Sequence, residues 1–549
     1  MSLKTVLIST LAFVGLSQNV NAQVPDWSWA VGGTANVGAS ITSDGLGNVL
    51  VAGSFQSNTL VLGTTTLANM GSSDIVLAKY NFSGDILWAK SFGGSKSDQA
   101  GSVSCDDSGN VVVTGSFSST TITFGTTTLT NNVGRANIFI AKYDPSGNIL
   151  WAKSADKFYG NSISEVGGSS ISFDPLGNIA VTGSFSCDSI TFGTTTLTLP
   201  LGSGGQPNIF VVKCDRSGNV LWAKGEGGAY SDLGRSVSFD AIGNILVTGT
   251  FTGSGPYGLQ NPNIGGAFSA FYVLKYNPNG TYLWGKSGSA SAANDRGTGV
   301  YADPFGNVLA IGTFEGPSID LGGGYVQPIG SSDGFIVKYD SIGNFRWAKN
   351  TQGYAQSISG DPSGNVLVAG FFKDSVNFGA TTLRNGGGVG IFIAKYDTSG
   401  SVLWAKAAGG DTKSKADGVN SVASDNWGNV LITGRFQSPT ITFGTTTLTN
   451  NYESFFVAKI GSFGTGIHDV RASDLINVYP NPASNQLFIE LNDFKNTKVE
   501  IFNIEGKLLQ RTTLISSKTT LEISNLTSGI YFVKIKSDKG VVMKKVIKE

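Results

Sequence analysis

One stretch of the sequence decides the fold, namely Ile138-Phe139-Ile140-Ala141-Lys142-Tyr143-Asp144-Pro145-Ser146-Gly147-Asn148-Ile149-Leu150-Trp151-Ala152-Lys153. Two apolar runs flank a short turn of Asp, Pro, Ser, Gly and Asn, which is the pattern of a tight β-hairpin. The tryptophan of this hairpin recurs in equivalent copies at Trp88, Trp151, Trp222, Trp284, Trp347 and Trp404. The chain is therefore built on a repeat that ends in a tryptophan-bearing strand.

A second hairpin precedes this one in every repeat. Its turn is Asp-x-x-Gly-Asn, where Asp can accept hydrogen bonds from backbone N–H groups and Gly can take positive φ. The pattern occurs seven times, at Asp44–Asn48, Asp106–Asn110, Asp174–Asn178, Asp240–Asn244, Asp303–Asn307, Asp361–Asn365 and Asp425–Asn429. The chain thus has seven first turns but only six tryptophan-bearing fourth strands. The last repeat ends with its third strand, Phe455–Ile460. The missing strand is found at the other end, at Asp26-Trp27-Ser28-Trp29-Ala30.

These counts predict seven four-stranded sheets, with the N-terminal strand completing the last one. Closing a ring with both chain ends would limit exposed sheet edges. Threonine-rich patterns around a glycine predict an extra small hairpin between second and third strands, at Val61–Leu67, Thr123–Leu129, Thr191–Leu197, Asn377–Leu383 and Thr442–Leu448. We predict an all-β chain with a seven-bladed β-propeller over residues 23–460, closed by an N-terminal strand and followed by a small C-terminal β-sandwich.

The repeat resembles the seven-bladed β-propeller repeats, often called SBBP repeats, of secreted bacterial proteins. Gly-Gly, Asp-x-x-Gly-Asn-Val, Val-Thr-Gly-Ser-Phe and Lys-Tyr-Asp-x-x-Gly-x-x-Leu-Trp-Ala-Lys carry the resemblance, which covers nearly all of residues 27–460. The resemblance implies a fold and no particular chemistry.

Both ends of the chain predict export. Lys4, an apolar run from Val6 to Leu16 and the small residues up to Ala22 indicate a secretory signal peptide over residues 1–22. No later stretch is apolar enough for a transmembrane segment. The protein is therefore expected to be secreted, extracellular or attached to the outer cell surface, and to be a monomer.

The tail forms a second predicted domain at residues 475–549, after a linker at 461–474. It begins with Tyr479-Pro480-Asn481-Pro482 and later carries Asn525-Leu526-Thr527-Ser528-Gly529-Ile530-Tyr531. With Ile-Phe-Asn-x-x-Gly-Lys and the final Lys545-Val546-Ile547-Lys548, it resembles the C-terminal sorting domain of the type IX secretion system of Bacteroidota. The resemblance implies that the type IX machinery recognises the tail, which is then usually removed. The alternative is an accessory β-sandwich without a sorting role.

Composition excludes several classes of chemistry. The chain has 38 basic and 38 acidic side chains, so no net basic field exists to hold nucleic acid. Its one histidine, His468, lies in the predicted linker, so the repeats have no imidazole for a Ser/His/Asp triad. Cys105, Cys187 and Cys214 form no Cys-x-x-Cys pair, which argues against a thiolate zinc site. We predict no cofactor, with calcium as the cation that repeated carboxylates would hold.

Carboxylates are the remaining candidates for chemistry. Asp98, Asp232, Asp295 and Asp417 each lie five residues before the aligned valine of a first strand, and Asn36 holds the same place before Ile41. In a ring they would meet near one mouth of the central channel, where they could bind a cation or serve glycoside hydrolysis. The alternative is that each aspartate caps its own loop. A lysine that recurs once per repeat predicts ion pairs with the turn aspartates or solvated strand ends.

Aromatic residues in the loops between fourth and first strands suggest binding. Tyr159, Tyr230 and Tyr354 lie there beside Asp and Asn, a combination that suits sugar or peptide, although these rings could equally pack against their own loops. We predict a binding or interaction module whose ligand is a glycan or a surface protein. The alternatives are a polysaccharide-active lyase or hydrolase that uses channel-mouth carboxylates, and a structural repeat without a defined ligand.

Overall fold

The computed structural model describes residues 24–33, 38–106, 108–132, 135–158, 166–200, 202–253, 255–259, 268–288, 294–328, 332–409, 417–450, 453–461, 476–491, 497–503, 508–514, 516–537 and 540–549. Within these residues the chain is all-β, as predicted, and its one helical element is a 3-10 turn at Pro256–Gly258. The chain divides into two units, Met1–Gly461 and Ser462–Glu549. The predicted signal peptide and residues 462–474 of the predicted linker lie outside the described residues.

The described part of the first unit contains seven four-stranded antiparallel sheets, numbered here in chain order. Their strands, from first to fourth, are Ser40–Ser43, Val49–Phe55, Asp74–Tyr80 and Ile86–Phe92 in sheet 1; Asp98–Cys105, Val111–Phe117, Asn137–Tyr143 and Ile149–Ser154 in sheet 2; Val166–Phe173, Ile179–Phe185, Asn208–Cys214 and Val220–Glu226 in sheet 3; Leu233–Phe239, Ile245–Thr252, Ser269–Tyr276 and Tyr282–Gly288 in sheet 4; Arg296–Ala302, Val308–Glu315, Ser332–Tyr339 and Phe345–Asn350 in sheet 5; Tyr354–Gly360, Val366–Phe378, Thr381–Tyr396 and Val402–Ala408 in sheet 6; and Gly418–Ser424, Val430–Phe436, Ser454–Ile460 and Trp27–Gly33 in sheet 7.

The first strands of successive sheets contact one another, and the first strand of sheet 7 contacts that of sheet 1. Serine hydroxyls join several of these neighbours. The N–H of Val103 donates to Ser40 Oγ at 3.2 Å, and the N–H of Ile41 donates to Ser421 Oγ at 3.3 Å. The small Gly and Ser residues therefore allow the first strands of neighbouring sheets to approach each other closely.

Each Asp-x-x-Gly-Asn turn is held by its aspartate. In the first copy, Asp44 Oδ1 accepts the N–H groups of Leu46 and Asn48, both at 2.9 Å, and Oδ2 accepts the Asn48 side-chain amide at 2.8 Å. Gly47 has φ 72°, which a residue with Cβ rarely adopts. The sequence pattern is thus explained by the geometry of the turn.

Small hairpins lie between the second and third strands of most sheets. They pair Thr59–Leu62 with Thr65–Ala68, Thr121–Phe124 with Thr127–Thr130, Ser189–Phe192 with Thr195–Thr198, Ile319–Asp320 with Tyr325–Val326, and Thr440–Phe443 with Thr446–Thr449. A short strand at Asp156–Phe158 adds to the third of them. In sheet 6 the equivalent hairpin continues the two long central strands, and Phe378 pairs with Thr381.

These hairpins fill the space between the outer parts of adjacent sheets. The Phe124 ring lies 5.2 Å from the Phe92 ring of sheet 1 and 5.1 Å from the Phe139 ring of sheet 2, measured between ring centroids. Sheets that meet at their first strands diverge toward their fourth strands, and the apolar side of each hairpin occupies that wedge.

The described residues of the second unit form two sheets that share one hydrophobic core. One has the order Ile476–Tyr479, Gln486–Leu491 and Lys518–Glu522. The other has the order Leu508–Thr513, Lys498–Asn503, Gly529–Ser537 and Gly540–Lys548. Leu487 and Ile489 from the first sheet pack with Val499, Ile501 and Val533 from the second, as in a sandwich.

Candidate functional site

The lysine that recurs once per repeat has a structural role in most sheets. Lys275 is 1% exposed, and its Nζ lies 3.0 Å from Asp240 Oδ2 in the turn of the same sheet. Lys275 also donates to the carbonyl of Ser341 in the next sheet at 3.1 Å, and Trp284 Nε1 donates to the same carbonyl at 3.2 Å. Equivalent ion pairs join Lys79 to Asp44, Lys213 to Asp174, Lys338 to Asp303, Lys395 to Asp361, and Lys459 to Asp425.

The four aspartates proposed for a channel-mouth site are engaged within their own sheets. Asp98 is fully buried, and its Oδ1 accepts the N–H groups of Ser118 and Ser119 at 3.0 and 3.1 Å. Its Oδ2 accepts the N–H of Gly94 at 2.8 Å and the Ser119 hydroxyl at 2.7 Å. The Asp98 carboxylate therefore caps the loop that follows the second strand of its sheet.

Asp232, Asp295 and Asp417 are equally buried and have the same role. Each accepts the N–H of the residue twenty positions later, at 2.9 Å from Thr252, 3.1 Å from Glu315 and 3.1 Å from Gln437. Among the described residues, no group of three His, Cys, Asp or Glu side chains could hold a metal ion. The structure thus places each aspartate in a loop-capping position and brings the four into no shared cluster.

The remaining candidates, Asn36 and three tyrosines, lie in different parts of the chain. Asn36 and Tyr159 lie outside the described residues. Tyr230 is 49% exposed and covers the backbone of Gly253, where an added Cβ would come 2.7 Å from the ring. Tyr354, in contrast, begins the first strand of sheet 6 and lines a pocket.

That pocket is formed where four first strands meet. It has a volume of about 270 Å³. Its lining residues come from sheets 3 to 6 and are Ser169, Arg235, Arg296, Thr298, Thr313, Tyr354, Gln356 and Phe371. Six of them lie on first strands, while Thr313 and Phe371 lie on the second strands of sheets 5 and 6. We call this the central pocket.

Two guanidinium groups give the central pocket its charge. Burial lowers the pKa of Arg235, and the positive charge of Arg296 lowers it further. Arg235 Nε donates to Thr250 Oγ1 at 3.4 Å, which directs the side chain along the second strand of sheet 4. Within the described residues, neither guanidinium has a carboxylate at salt-bridge distance. An anion entering the pocket would therefore relieve the repulsion between the two arginines.

An aromatic pair forms another side of the central pocket. The rings of Tyr354 and Phe371 stack with centroids 4.9 Å apart and an interplanar angle of 14°. Both side chains are partly exposed, so the pair offers a flat apolar surface beside the hydrogen-bonding groups of Gln356 and Thr298. Flat apolar surfaces with a few polar groups are typical of ligand sites.

Of these lining residues, Tyr354 was predicted from the sequence, whereas Arg235 and Arg296 were not. A signal was available in the aligned repeats. Two positions before the aligned valine or isoleucine, the residue changes from repeat to repeat, as Ala39, Gly101, Ser169, Arg235, Thr298, Gln356 and Asn420. Arg296 and Tyr354 are equivalent to each other, because each lies four positions before the aligned residue, Val300 or Ile358. A position that varies on an otherwise regular first strand indicates where the sheets offer different side chains to a ligand.

Comparison with known proteins identifies the tail. Residues 477–549 match the family described as a secretion system C-terminal sorting domain. This domain implies export through the type IX secretion system to the cell surface or the extracellular space, and therefore interaction with that machinery. Among the described residues, no helix is long and apolar enough to cross a membrane.

Other comparisons cover larger parts of the chain. An uncharacterised WD repeat-containing protein of Acanthamoeba polyphaga mimivirus is 25% identical over an alignment of 515 residues, and the match covers 76% of this chain and 36% of the viral protein. The chain thus spans about a third of that relative's length. A protein of unknown function from Dyadobacter fermentans is 13% identical and has a TM-score of 0.36, covering 66% of this chain and 95% of its own. PorZ, a surface component of the type IX secretion system of Porphyromonas gingivalis, is 12% identical with a TM-score of 0.21, covering 94% of this chain and 82% of its own.

Proposed function

We propose that the first unit is a seven-bladed β-propeller closed by its N-terminal strand, and that it acts outside the cell as a binding module. Seven four-stranded sheets, the contacts between successive first strands and the pairing of Trp27–Gly33 with Ser454–Ile460 support this architecture. Each sheet is a blade, and the central pocket then lies on the propeller axis. Propellers commonly present their variable residues at such positions.

The ligand of the central pocket is an anionic saccharide. The observation that carries this assignment is the pair Arg235 and Arg296, two cations in one small pocket without a carboxylate partner among the described residues. Guanidinium groups hold carboxylates by bidentate hydrogen bonds. The stacked Tyr354–Phe371 pair provides a face for a sugar ring, and Gln356 provides donors and an acceptor for hydroxyl groups. The Thr298 hydroxyl donates to the Ala355 carbonyl at 2.8 Å, so its oxygen provides an acceptor.

Export brings the first unit to the place where it would meet this ligand. The protein crosses the outer membrane by way of its sorting domain and works in the secreted or surface-attached form, with the tail removed. Acidic polysaccharides of the surroundings would then be in direct contact with the propeller.

An oligosaccharide array tests the proposal. The chain from residue 23 to residue 549 is applied to matched neutral and uronic-acid oligosaccharides at low and at physiological salt. We expect binding to the acidic members only. This binding should be weaker at physiological salt, because dissolved ions then screen the attraction between exposed charges over a length of about 8 Å. Equal binding of neutral and acidic members, or no binding to either, would overturn the assignment.

A further inference from the structure

A second pocket lies between the outer parts of sheets 2 and 3, away from the central pocket. It has a volume of about 500 Å³. Its walls are the fourth strand of sheet 2, with Trp151, and Ala155 directly after that strand. The small hairpin of sheet 3, with Phe192, and the third strand of sheet 3, with Val212 and Cys214, complete them. We call it the wedge pocket.

In the equivalent wedge between sheets 1 and 2, three aromatic rings fill this space. There the rings of Phe92, Phe124 and Tyr143 pack together, with Phe92 5.2 Å from Phe124 and 5.6 Å from Tyr143 between centroids. The pocket remaining beside them measures about 360 Å³. Both pockets are lined by matching residues, with Lys90 corresponding to Lys153 and Gly147 to Gly218.

Two of these three rings are missing from the wedge pocket. Ala155 occupies the place of Phe92, and Cys214 occupies the place of Tyr143, while Phe192 retains the place of Phe124. Ala155 is 4% exposed and Cys214 is 2% exposed, so both face the interior of the wedge. The larger volume thus has a direct origin in two substitutions between repeats.

In the other sheets an aromatic ring occupies the place of Cys214 or lies next to it. The position of Cys214 is tyrosine in five sheets, as Tyr80, Tyr143, Tyr276, Tyr339 and Tyr396, and all five are buried. In sheet 7 it is Ile460, and there Trp27 lies beside the hairpin phenylalanine, with its ring centroid 4.9 Å from that of Phe443. Sheet 3 has Val220 at the place of Trp27, so no such ring replaces the lost tyrosine.

The rim of the wedge pocket is polar. Lys153 Nζ donates to Asn219 Oδ1 at 3.4 Å, and Asp156 lies beside them. Burial raises the pKa of the Cys214 thiol to about 12, so the floor of the pocket is uncharged at neutral pH. A ligand with an apolar ring inside and one polar group at the rim matches this arrangement.

We propose that the wedge pocket binds a small uncharged aromatic compound of one or two fused rings, which replaces the two rings that Ala155 and Cys214 lack. Apolar cavities of this kind take up aromatic molecules because dispersion contacts and burial of apolar surface both favour a filled space. This site is independent of the central pocket.

Indole is a suitable probe, measured by isothermal titration calorimetry on residues 23–549. We expect saturable binding at one site, with a dissociation constant on the order of 1 mM or tighter for so small a ligand. The double variant Ala155→Phe/Cys214→Tyr installs the residues of the neighbouring repeat, and we expect it to bind at least tenfold more weakly. If the double variant does not fold, Ala155→Phe alone should weaken binding severalfold.

The matched control makes the reverse exchange in sheets 1 and 2. Phe92→Ala/Tyr143→Cys should create a second indole site and raise the stoichiometry from one to two. The proposal is overturned if the unchanged protein shows no saturable indole binding, if the folded Ala155→Phe/Cys214→Tyr variant binds as the unchanged protein does, or if the reverse exchange leaves the stoichiometry at one.

Discussion

The N–H of Gly461 donates to the carbonyl of Asp26 at 3.0 Å, joining the two ends of the first unit. The equivalent bond in sheet 1 lies within a continuous hairpin, where the N–H of Asn81 donates to the carbonyl of Asp85 at 2.8 Å. Ser28 Oγ also donates to the Gly461 carbonyl, at 2.7 Å. In sheet 7, therefore, non-covalent bonds hold the third and fourth strands in the place where the other sheets have a turn.

Deleting residues 23–33 should destabilise the whole first unit. The deletion removes Trp29, whose Nε1 donates to the Phe82 carbonyl of sheet 1 at 2.9 Å, and exposes Phe456 and Val457 on the third strand of sheet 7. Each large apolar side chain exposed costs about 1.5–3 kcal/mol. We expect a melting temperature well below that of the chain starting at residue 23, measured by calorimetry. An unchanged melting temperature would refute the closure by this strand.

Breaking a buried lysine–aspartate pair should cost more than breaking an exposed ion pair. Lys275→Met leaves the buried Asp240 carboxylate without its cation, which typically costs about 3–5 kcal/mol. The matched control is Arg346→Met, because Arg346 is largely exposed and pairs with Asp340 at 2.9 Å, a type of contact worth about 1 kcal/mol or less. Urea unfolding of both variants measures the difference. Equal losses in the two would contradict the structural role of the repeated lysine.

Asp232 should make stability depend on pH. Burial raises the pKa of Asp232 to about 6 from 3.8, although the N–H groups of Gly228 and Thr252 act in the opposite direction. Because the folded pKa lies above the unfolded one, the contribution is fully present below about pH 4 and is lost as the pH rises through 6. Relative to Asp232→Asn, the unchanged protein should lose about 2–3 kcal/mol of unfolding free energy between pH 4 and pH 7. A difference that stays constant over this range would show that Asp232 does not titrate in this way.

Removing residues 475–549 should stop export without unfolding the first unit. The tail has its own hydrophobic core, formed by residues such as Leu487 and Val533, and it matches the sorting domain. In the native bacterium the truncated protein should accumulate inside the cell envelope, whereas the full chain reaches the surface or the medium. Immunoblots of cell and medium fractions measure this. Undiminished release of the truncated protein would contradict the sorting role.

Much of the fold could be predicted because the repeat is regular. The tryptophan strands and the Asp-x-x-Gly-Asn turns set the number of sheets, and the imbalance between them indicated which strand lies beside Ser454–Ile460. The contacts between sheets were harder to predict. The sequence does not indicate which residue a glycine or serine of a first strand will contact. In the structure, for example, Ser421 Oγ accepts the N–H of Ile41 in the next sheet.

The candidate site was predicted less well, for a physical reason. Regularly spaced aspartates such as Asp98 predicted a site because carboxylates carry much of enzyme chemistry, yet their regular spacing reflects a structural role that is repeated in four sheets. The central pocket depends on positions where the repeats differ. Arg235 and Arg296 lie on the first strands of different sheets, and only the folded arrangement brings their charges together.

Titration with trigalacturonate tests anion binding by these two arginines most directly. Loss of one charge-assisted hydrogen bond costs about 1.5–3 kcal/mol, so Arg296→Gln should weaken binding roughly ten- to a hundredfold. Arg346→Gln, which removes an exposed guanidinium outside the pocket, serves as the matched control and should bind as the unchanged protein does. We expect saturable binding by the unchanged protein and its selective loss in Arg296→Gln. Absence of binding by the unchanged protein, or equal affinity in both variants, would contradict it.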